Sequence, residues 1–199
     1  NYGAYVPVSL TDADYKKEVT TILKNMDIVI VVVDVIDFEG SFDAELISLI
    51  KKKKVILAVN KIDLVPGRKH PAEITNWLNG RLFLAGITPA DIVIMSTKTK
   101  YGVNGVIRKL RYFLPKGGNV AVIGATNVGK SSLINGLFGK NTVTVSKYPG
   151  TTLKTVKFQL PKTQTFIHDT PGIIPKGRIS DMVCESCNLK IVPSTEISR

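Results

Sequence analysis

Carboxylates are missing from the middle of this chain: none lies between Asp91 and Asp169, a stretch that holds twelve lysines and arginines. Cysteine is scarce too, with two in all. Cys184 and Cys187 cannot form a disulfide framework, which argues against the stapled secreted class and for a reducing compartment. Spaced C-x-x-C, they offer half a zinc site, because such a site needs two more thiolate or imidazole ligands and the histidines are His70 and His168 alone. Two readings stay open for the pair: half of a split or intermolecular site, or thiols that pack or face solvent. Aromatic residues make up 7% and are not interleaved with the basic ones, so a base-stacking platform is unsupported. The longest aliphatic run, residues 28–33, is far short of the ~20 residues that cross a bilayer, and no signal peptide opens the chain. Stable membrane insertion is not expected; a cytoplasmic location is.

What is present suits one α/β domain with a sizeable core, 199 residues at 44% hydrophobic content. Charge is unevenly placed. Residues 1–63 carry 8 basic and 10 acidic side chains, whereas residues 64–199 carry 19 basic and 6 acidic. Such an excess is the electrostatic footprint of a protein working on RNA, whose phosphates attract without specifying sequence. The competing reading is solubility alone. The lysines at 51–54 read as a helix C-terminus, where backbone carbonyls favour cations. Asp34 and Asp37 are assigned loop-capping and sheet-edge roles rather than a metal pair, and Trp77 and Leu78 are placed in the core.

Residues 119–123 form an apolar, β-branched run that reads as a buried strand. Gly124-Ala125-Thr126-Asn127-Val128-Gly129-Lys130-Ser131 follows and matches G-x-x-x-x-G-K-[ST]; residues 131–138 then put Leu133, Ile134 and Leu137 on one helical face. Strand, glycine loop and helix together let backbone N–H groups wrap a phosphate chain while the helix N-terminus adds its positive end. Val128, Gly129 and Ser132 belong to this wrap. Lys130 is expected to reach β/γ-phosphates, and the Ser131 hydroxyl to ligate Mg²⁺.

A second signal lies upstream. Residues 54–59 read as a buried strand with Asn60-Lys61-Ile62-Asp63 at its carboxyl end, the edge where open α/β sheets bind ligands. Guanine presents a ring N–H and an exocyclic amine on one edge, so a fixed carboxylate at Asp63 accepts both. Adenine has an acceptor at that ring nitrogen and would leave the carboxylate unpaired, at a cost of about 1–3 kcal/mol or more. Asn60 is expected to tie this loop to the phosphate loop, and the Lys61 stem to cover the base. GTP and GDP are therefore the expected ligands.

Three further elements resemble those of GTPases. Ser96-Thr97-Lys98, after the strand at residues 91–95, resembles the S-A-K element, with Thr97 in place of Ala. The resemblance implies a main-chain N–H on the guanine carbonyl and Lys98 packed on the base. Tyr148-Pro149-Gly150-Thr151-Thr152 resembles the first switch, implying Thr152 as a Mg²⁺ ligand; Asp169-Thr170-Pro171-Gly172 resembles the second. Asp169 would hold a metal-bound water, and the Gly172 N–H would sense the γ-phosphate. Ile173 stands where Ras-type enzymes place the Gln that orients attacking water. Intrinsic hydrolysis is therefore expected to be slow. Asn127 is the candidate replacement, as a ligand for K⁺ beside the β/γ-phosphates; the alternative is that it only stabilises the loop.

The motif order is base reader, S-T-K, phosphate loop, first switch, second switch. With residues 32–41 and the Thr126 to Ser131, Tyr148 to Leu153 and Asp169 to Ile174 motifs, the chain resembles the circularly permuted GTPases of the YqeH type, from about Val8 to its end. The resemblance implies a P-loop NTPase fold of the Ras-like kind, circularly permuted, with a mostly parallel central sheet flanked by helices. A helix at residues 105–114 and a connection at residues 115–118 would join the ends of the unpermuted fold. Expected organisation is a linker at residues 1–10, the GTPase domain at 11–175, and a second-switch exit opening a C-terminal region at 176–199. Family members carry a Cys-rich zinc module before this core and a larger domain after it, so a fragment is expected, with those missing domains as partners. The implied function is GTP hydrolysis as a nucleotide switch in small-subunit ribosome assembly, with the subunit or its rRNA as partner. The alternatives are a nucleotide-gated RNA- or protein-binding module with incidental hydrolysis, or a GTPase serving another RNA or membrane-associated process.

Overall fold

A computed structural model describes residues 12–66, 71–139, 156–170 and 172. Three strands, β1 (Ile28–Asp34), β2 (Val55–Asn60) and, at its inner end, β4 (Gly118–Ile123), are buried on both faces. Their near-continuous Val, Ile and Ala runs are what the inside of a parallel sheet requires. The more exposed β3 (Asp91–Ile94) and the hairpin of β5 (Val156–Gln159) and β6 (Thr165–Asp169) extend the sheet on either side. Across the sheet the order is β3-β2-β1-β4-β6-β5, parallel throughout except for the β5–β6 pair. Counting instead from β4, the strand that feeds the phosphate loop, the order reads 6-5-4-1-3-2. That is the Ras-like sheet, entered by this chain at its fourth strand.

Helices cover both faces. On one, Val19 and Leu23 of α1 (Asp12–Lys24) pack on Val29, Val31, Val33 and Leu57, together with Phe38 of the short α2 (Phe38–Ser41). Leu46 and Ile50 of α3 (Ala44–Ile50) and Leu78 and Leu82 of α4 (Pro71–Leu84) complete that layer. On the other, Val106 and Leu110 of α5 (Val103–Phe113) and Leu133, Ile134 and Leu137 of α6 (Lys130–Phe138) cover Ile28, Ile30, Ile56 and Val122. Successive β1 residues alternate between the two layers, the period-2 geometry of a strand. Each fully buried Leu or Ile contributes roughly 1.5–3 kcal/mol, so the sheet centre, with all seven β1 residues buried, carries much of the stability. Trp77 departs from expectation. It is 45% exposed, its ring set edge-on to Phe38 at 5.2 Å, while Leu78 is buried. One residue turns a helix by about 100°, so the Leu78–Leu82 stripe takes the core and Trp77 falls at its margin. Lys51 caps the end of α3, as the lysine run suggests.

The α5-to-β4 connection closes the permuted circle. Leu114 N–H returns to Leu110 O at 2.8 Å, Gly117 N–H to Leu114 O at 3.0 Å, and Gly118 N–H donates to Gln164 O at 3.1 Å. Gly117 sits at φ 86°, and a Cβ there would lie 2.3 Å from Gln164 O. Gly86 has a similar φ of 66° but open space around it. Left-handed backbone alone costs a non-Gly residue about 1–2 kcal/mol. Gly117→Ala is therefore expected to destabilise the protein by clearly more than Gly86→Ala in urea unfolding; equal losses would show that the connection is not a tight joint.

Candidate functional site

The parallel strands deliver their carboxyl ends to one edge. Asp34 and Asn60 stand opposite each other in the β1–β2 register, and Val122 and Asp169 in the β4–β6 register. Asn60, 1% exposed, is the junction. Its Nδ2 donates to Val128 O in the phosphate loop at 2.8 Å and to Thr97 Oγ1 at 3.3 Å, while its Oδ1 accepts from Thr97 N–H at 3.0 Å. One carboxamide thus holds three loops. Lys61 next to it adopts φ 67°, turning the chain into the short 3₁₀ segment Ile62–Leu64 that carries Asp63. Asp63, Lys61, Thr97, Lys98, Asn127, Gly129 and Ser132 line one cleft of about 370 Å³ with Asn60 and Leu64.

The phosphate loop packs against this wall of the cleft. Gly129, at φ 100°, is pressed so close that a Cβ would lie 2.3 Å from Asn60 Nδ2. Asn127 at φ 62° is exposed at the rim. Lys130 opens α6, and its Nζ folds back to donate to Gly124 O at 3.0 Å and Ala125 O at 2.8 Å. Burial lowers the Lys130 pKa to about 8 against the opposing pull of Asp169. Burial likewise pushes Asp169 up to about 6, opposed by the Lys130 ammonium and then by the Thr170 N–H. Neither Asp169 oxygen gains a hydrogen bond of normal geometry among the described residues. A buried carboxylate so poorly supplied with donors, beside the Lys130 that opens α6, fits a hard cation with oxygen ligands. Among the described residues no cluster of three His, Cys, Asp or Glu would hold a metal alone, so such a cation would lean on nucleotide phosphates. Gly172 lies beside the same ammonium: a Cβ there would be 2.9 Å from Lys130 Nζ.

Other residues fall differently. Ser96 is fully buried, its hydroxyl accepting from Thr99 N–H at 3.1 Å, and it shapes the loop rather than lining the cleft. Val128 is buried and faces the core, with its carbonyl committed to Asn60. His168 Nε2 meets Asn119 Oδ1 at 3.1 Å, a strand-end role. Thr152, Ile173, His70, Cys184 and Cys187 lie outside the described residues. Sequence reasoning missed the partner of Lys61. Its Nζ pairs with Asp34 Oδ2 at 2.5 Å, while Asp34 Oδ1 accepts from Ile36 N–H at 3.0 Å. The available signal was the acid at the end of the neighbouring parallel strand.

Two family matches divide the chain. The elongation factor Tu GTP binding domain family matches residues 12–116, and the family described as 50S ribosome-binding GTPase matches residues 119–192. The break falls in the α5-to-β4 connection, where the permuted circle is joined. YqeH of Bacillus subtilis (strain 168) is 31% identical over 203 residues, covering 99% of this chain. The chain belongs to the circularly permuted GTPases of the YqeH type. This YqeH-type chain spans about half of that relative, 55% of its length. YjeQ from Thermotoga maritima shares the structure at 27% identity and a TM-score of 0.50, over 75% of this chain and 49% of that one. GNP-bound YlqF from T. maritima matches in fold at 17% identity and a TM-score of 0.56, over 88% and 71% respectively.

The raised Asp169 pKa has a signed consequence. A carboxyl whose folded pKa lies above its unfolded value stabilises the fold at low pH, and that contribution is lost as pH rises through about 6. In the nucleotide-free protein, Asp169→Asn should therefore gain stability relative to wild type between about pH 4 and 7, by on the order of 2 kcal/mol. Urea unfolding across that window reads the difference; a pH-independent difference would rule out a buried, under-solvated carboxylate.

Proposed function

We propose that this chain binds GTP and GDP in the cleft, hydrolyses GTP to GDP and phosphate, and serves as a cytoplasmic nucleotide switch in assembly of the small ribosomal subunit. The observation that carries the reading is the Asn60 carboxamide, which joins the base-reading loop to the phosphate loop. In this arrangement Asp63 accepts from the guanine edge and the Lys61 and Lys98 stems flank the ring, while the Thr97 N–H, given to Asn60 Oδ1 rather than to the base, fixes the loop. Lys130 exchanges the Gly124 and Ala125 carbonyls for β/γ-phosphate oxygens, and a polyanion at that point restores its affinity for the proton. Ser131, Thr152 and, through water, Asp169 would hold Mg²⁺, which when bound neutralises charge developing on the phosphoryl group. Gly172, beside Lys130, would register the γ-phosphate through its N–H. Because the second switch comes last in the permuted order, nucleotide state is passed directly to residues 173–199 and to whatever domain they enter.

Action on the ribosome in general is supported by the family description that matches residues 119–192, which names the 50S particle, and by the basic charge excess; the small subunit comes from the YqeH-type resemblance alone. Slow intrinsic hydrolysis follows from Ile173, which can neither donate nor accept a hydrogen bond. Asn127, exposed at the rim of the phosphate loop, then takes the role of K⁺ ligand.

Asp63→Ala should weaken GDP binding roughly 10- to 100-fold in calorimetry while leaving the poor affinity for ADP unchanged. A wild-type protein with no preference for GDP over ADP would end the guanine reading. Replacing NaCl by KCl should raise GTP turnover by about tenfold or more, and Asn127→Ala should abolish the difference without a comparable loss of GDP affinity. Equal turnover in the two salts would remove the potassium role and leave the rest standing.

A further inference from the structure

Away from the nucleotide cleft, at the edge where the parallel strands begin, the basic residues collect. Lys24 ends α1 just before β1; Lys51, Lys52 and Lys54 precede β2; Arg111 and Lys116 precede β4; Lys162 sits in the hairpin turn before β6, and all of these side chains are exposed. Contacts show that these entries adjoin. Lys54 Nζ lies 4.2 Å from the centre of the Phe113 ring at the end of α5, and Val29 N–H donates to Lys54 O at 2.9 Å. Asp27 N–H donates to Asn119 O at 2.9 Å, and Gly118 N–H to Gln164 O at 3.1 Å, linking the β1, β4 and β6 entries. Asp27 and Asp91, the carboxylates at these entries among the described residues, are both engaged. Asp27 Oδ2 accepts from Asn119 N–H at 2.8 Å, and Asp91 pairs with Lys109.

Helix ends explain part of this, since a cation on the last turn meets the carbonyl end of the helix dipole. That accounts for Lys24, Lys51 and Arg111. It does not account for Lys52, Lys54, Lys116 and Lys162, which lie on connections and whose mutual repulsion works against the compact state. Tyr112, 76% exposed beside Arg111, adds an aromatic face within the positive field. We infer that this strand-entry edge, opposite the nucleotide cleft, is an RNA-docking surface: lysines and arginine engage phosphates and Tyr112 receives a base. The inference deepens the ribosomal reading and rests on it for the identity of the RNA. Because the surface and the cleft lie at opposite ends of the same strands, RNA and nucleotide can be held together.

The test is an anisotropy titration of a fluorescein-labelled single-stranded RNA of about 20 nucleotides with the 199-residue chain, repeated between about 50 and 200 mM KCl. The K51Q/K52Q/K116Q/K162Q variant should lose about three units of the slope of log affinity against log salt, and bind RNA at least tenfold more weakly at the lower salt. The same four positions changed to Arg should retain binding, and GDP affinity should stay within about twofold in both variants, showing that the fold is intact. An unchanged slope and affinity in the Gln variant would overturn the proposal. So would loss of binding to phosphatidylserine vesicles with RNA binding intact, which would mark a lipid surface instead. Co-sedimentation with small ribosomal subunits separates the two levels. Wild-type protein that binds RNA but fails to sediment counts against the ribosomal reading, whereas sedimentation that survives the four Gln substitutions counts against this edge.

Discussion

The Asn60 carboxamide sits at the end of a fully buried strand and bonds to segments 37 and 68 residues away along the chain. Its position depends on the β1–β2–β3 register, and the phosphate loop depends on it in turn, because Gly129 lies against its amide with no room for a Cβ. A buried amide left without these partners would cost about 1–3 kcal/mol. The three loops therefore stand or fall together. This is a mechanical reason for the loop at residues 60–64 and the phosphate loop to persist as one unit when the chain order is rotated.

Rotation leaves the packed object alone and alters only which ends are free. The sheet keeps its two apolar layers, and the α5-to-β4 connection replaces the original termini with a tight turn locked to Gln164. What changes is the order in which the loops of the site follow one another along the chain. The switch-like segments now come after the phosphate loop and the base-side loops along the chain, so in the proposed switch a displacement at Gly172 would be carried toward the residues that follow it. The same topology places the phosphate loop and the lysine-rich edge at opposite ends of the strands.

Electrostatics at the phosphate loop follow from burial. Lys130 and Asp169 are each pushed toward neutrality by desolvation, and their mutual attraction only partly offsets it. Lys130 recovers hydrogen bonds from its own loop, but Asp169 finds none of normal geometry among the described residues. A site in this condition is suited to an anion and a hard cation arriving together, because each relieves one of the two buried groups. Functional sites are where local rules of stability are commonly broken.

Much of this was legible in the residues. The placement of the glycines, Lys130 and Ser131 between a β-branched strand and a helix, and of Asp63 just past another strand, is set by short-range geometry, which a string of letters preserves. Asn60 as a tie between loops could also be read, since its residue type and strand-end position leave it few other uses. The Asp34–Lys61 pair, the outward turn of Trp77 and the inward turn of the Ser96 hydroxyl could not. Each depends on which strand lies beside which, or on a rotation of about 100° per helical residue. The lysine-rich edge belongs to that second kind. Lys24, Lys54, Lys116 and Lys162 are strangers along the chain, and only the pairing of the parallel strands, which sets their entries on one side of the sheet, brings them to one edge.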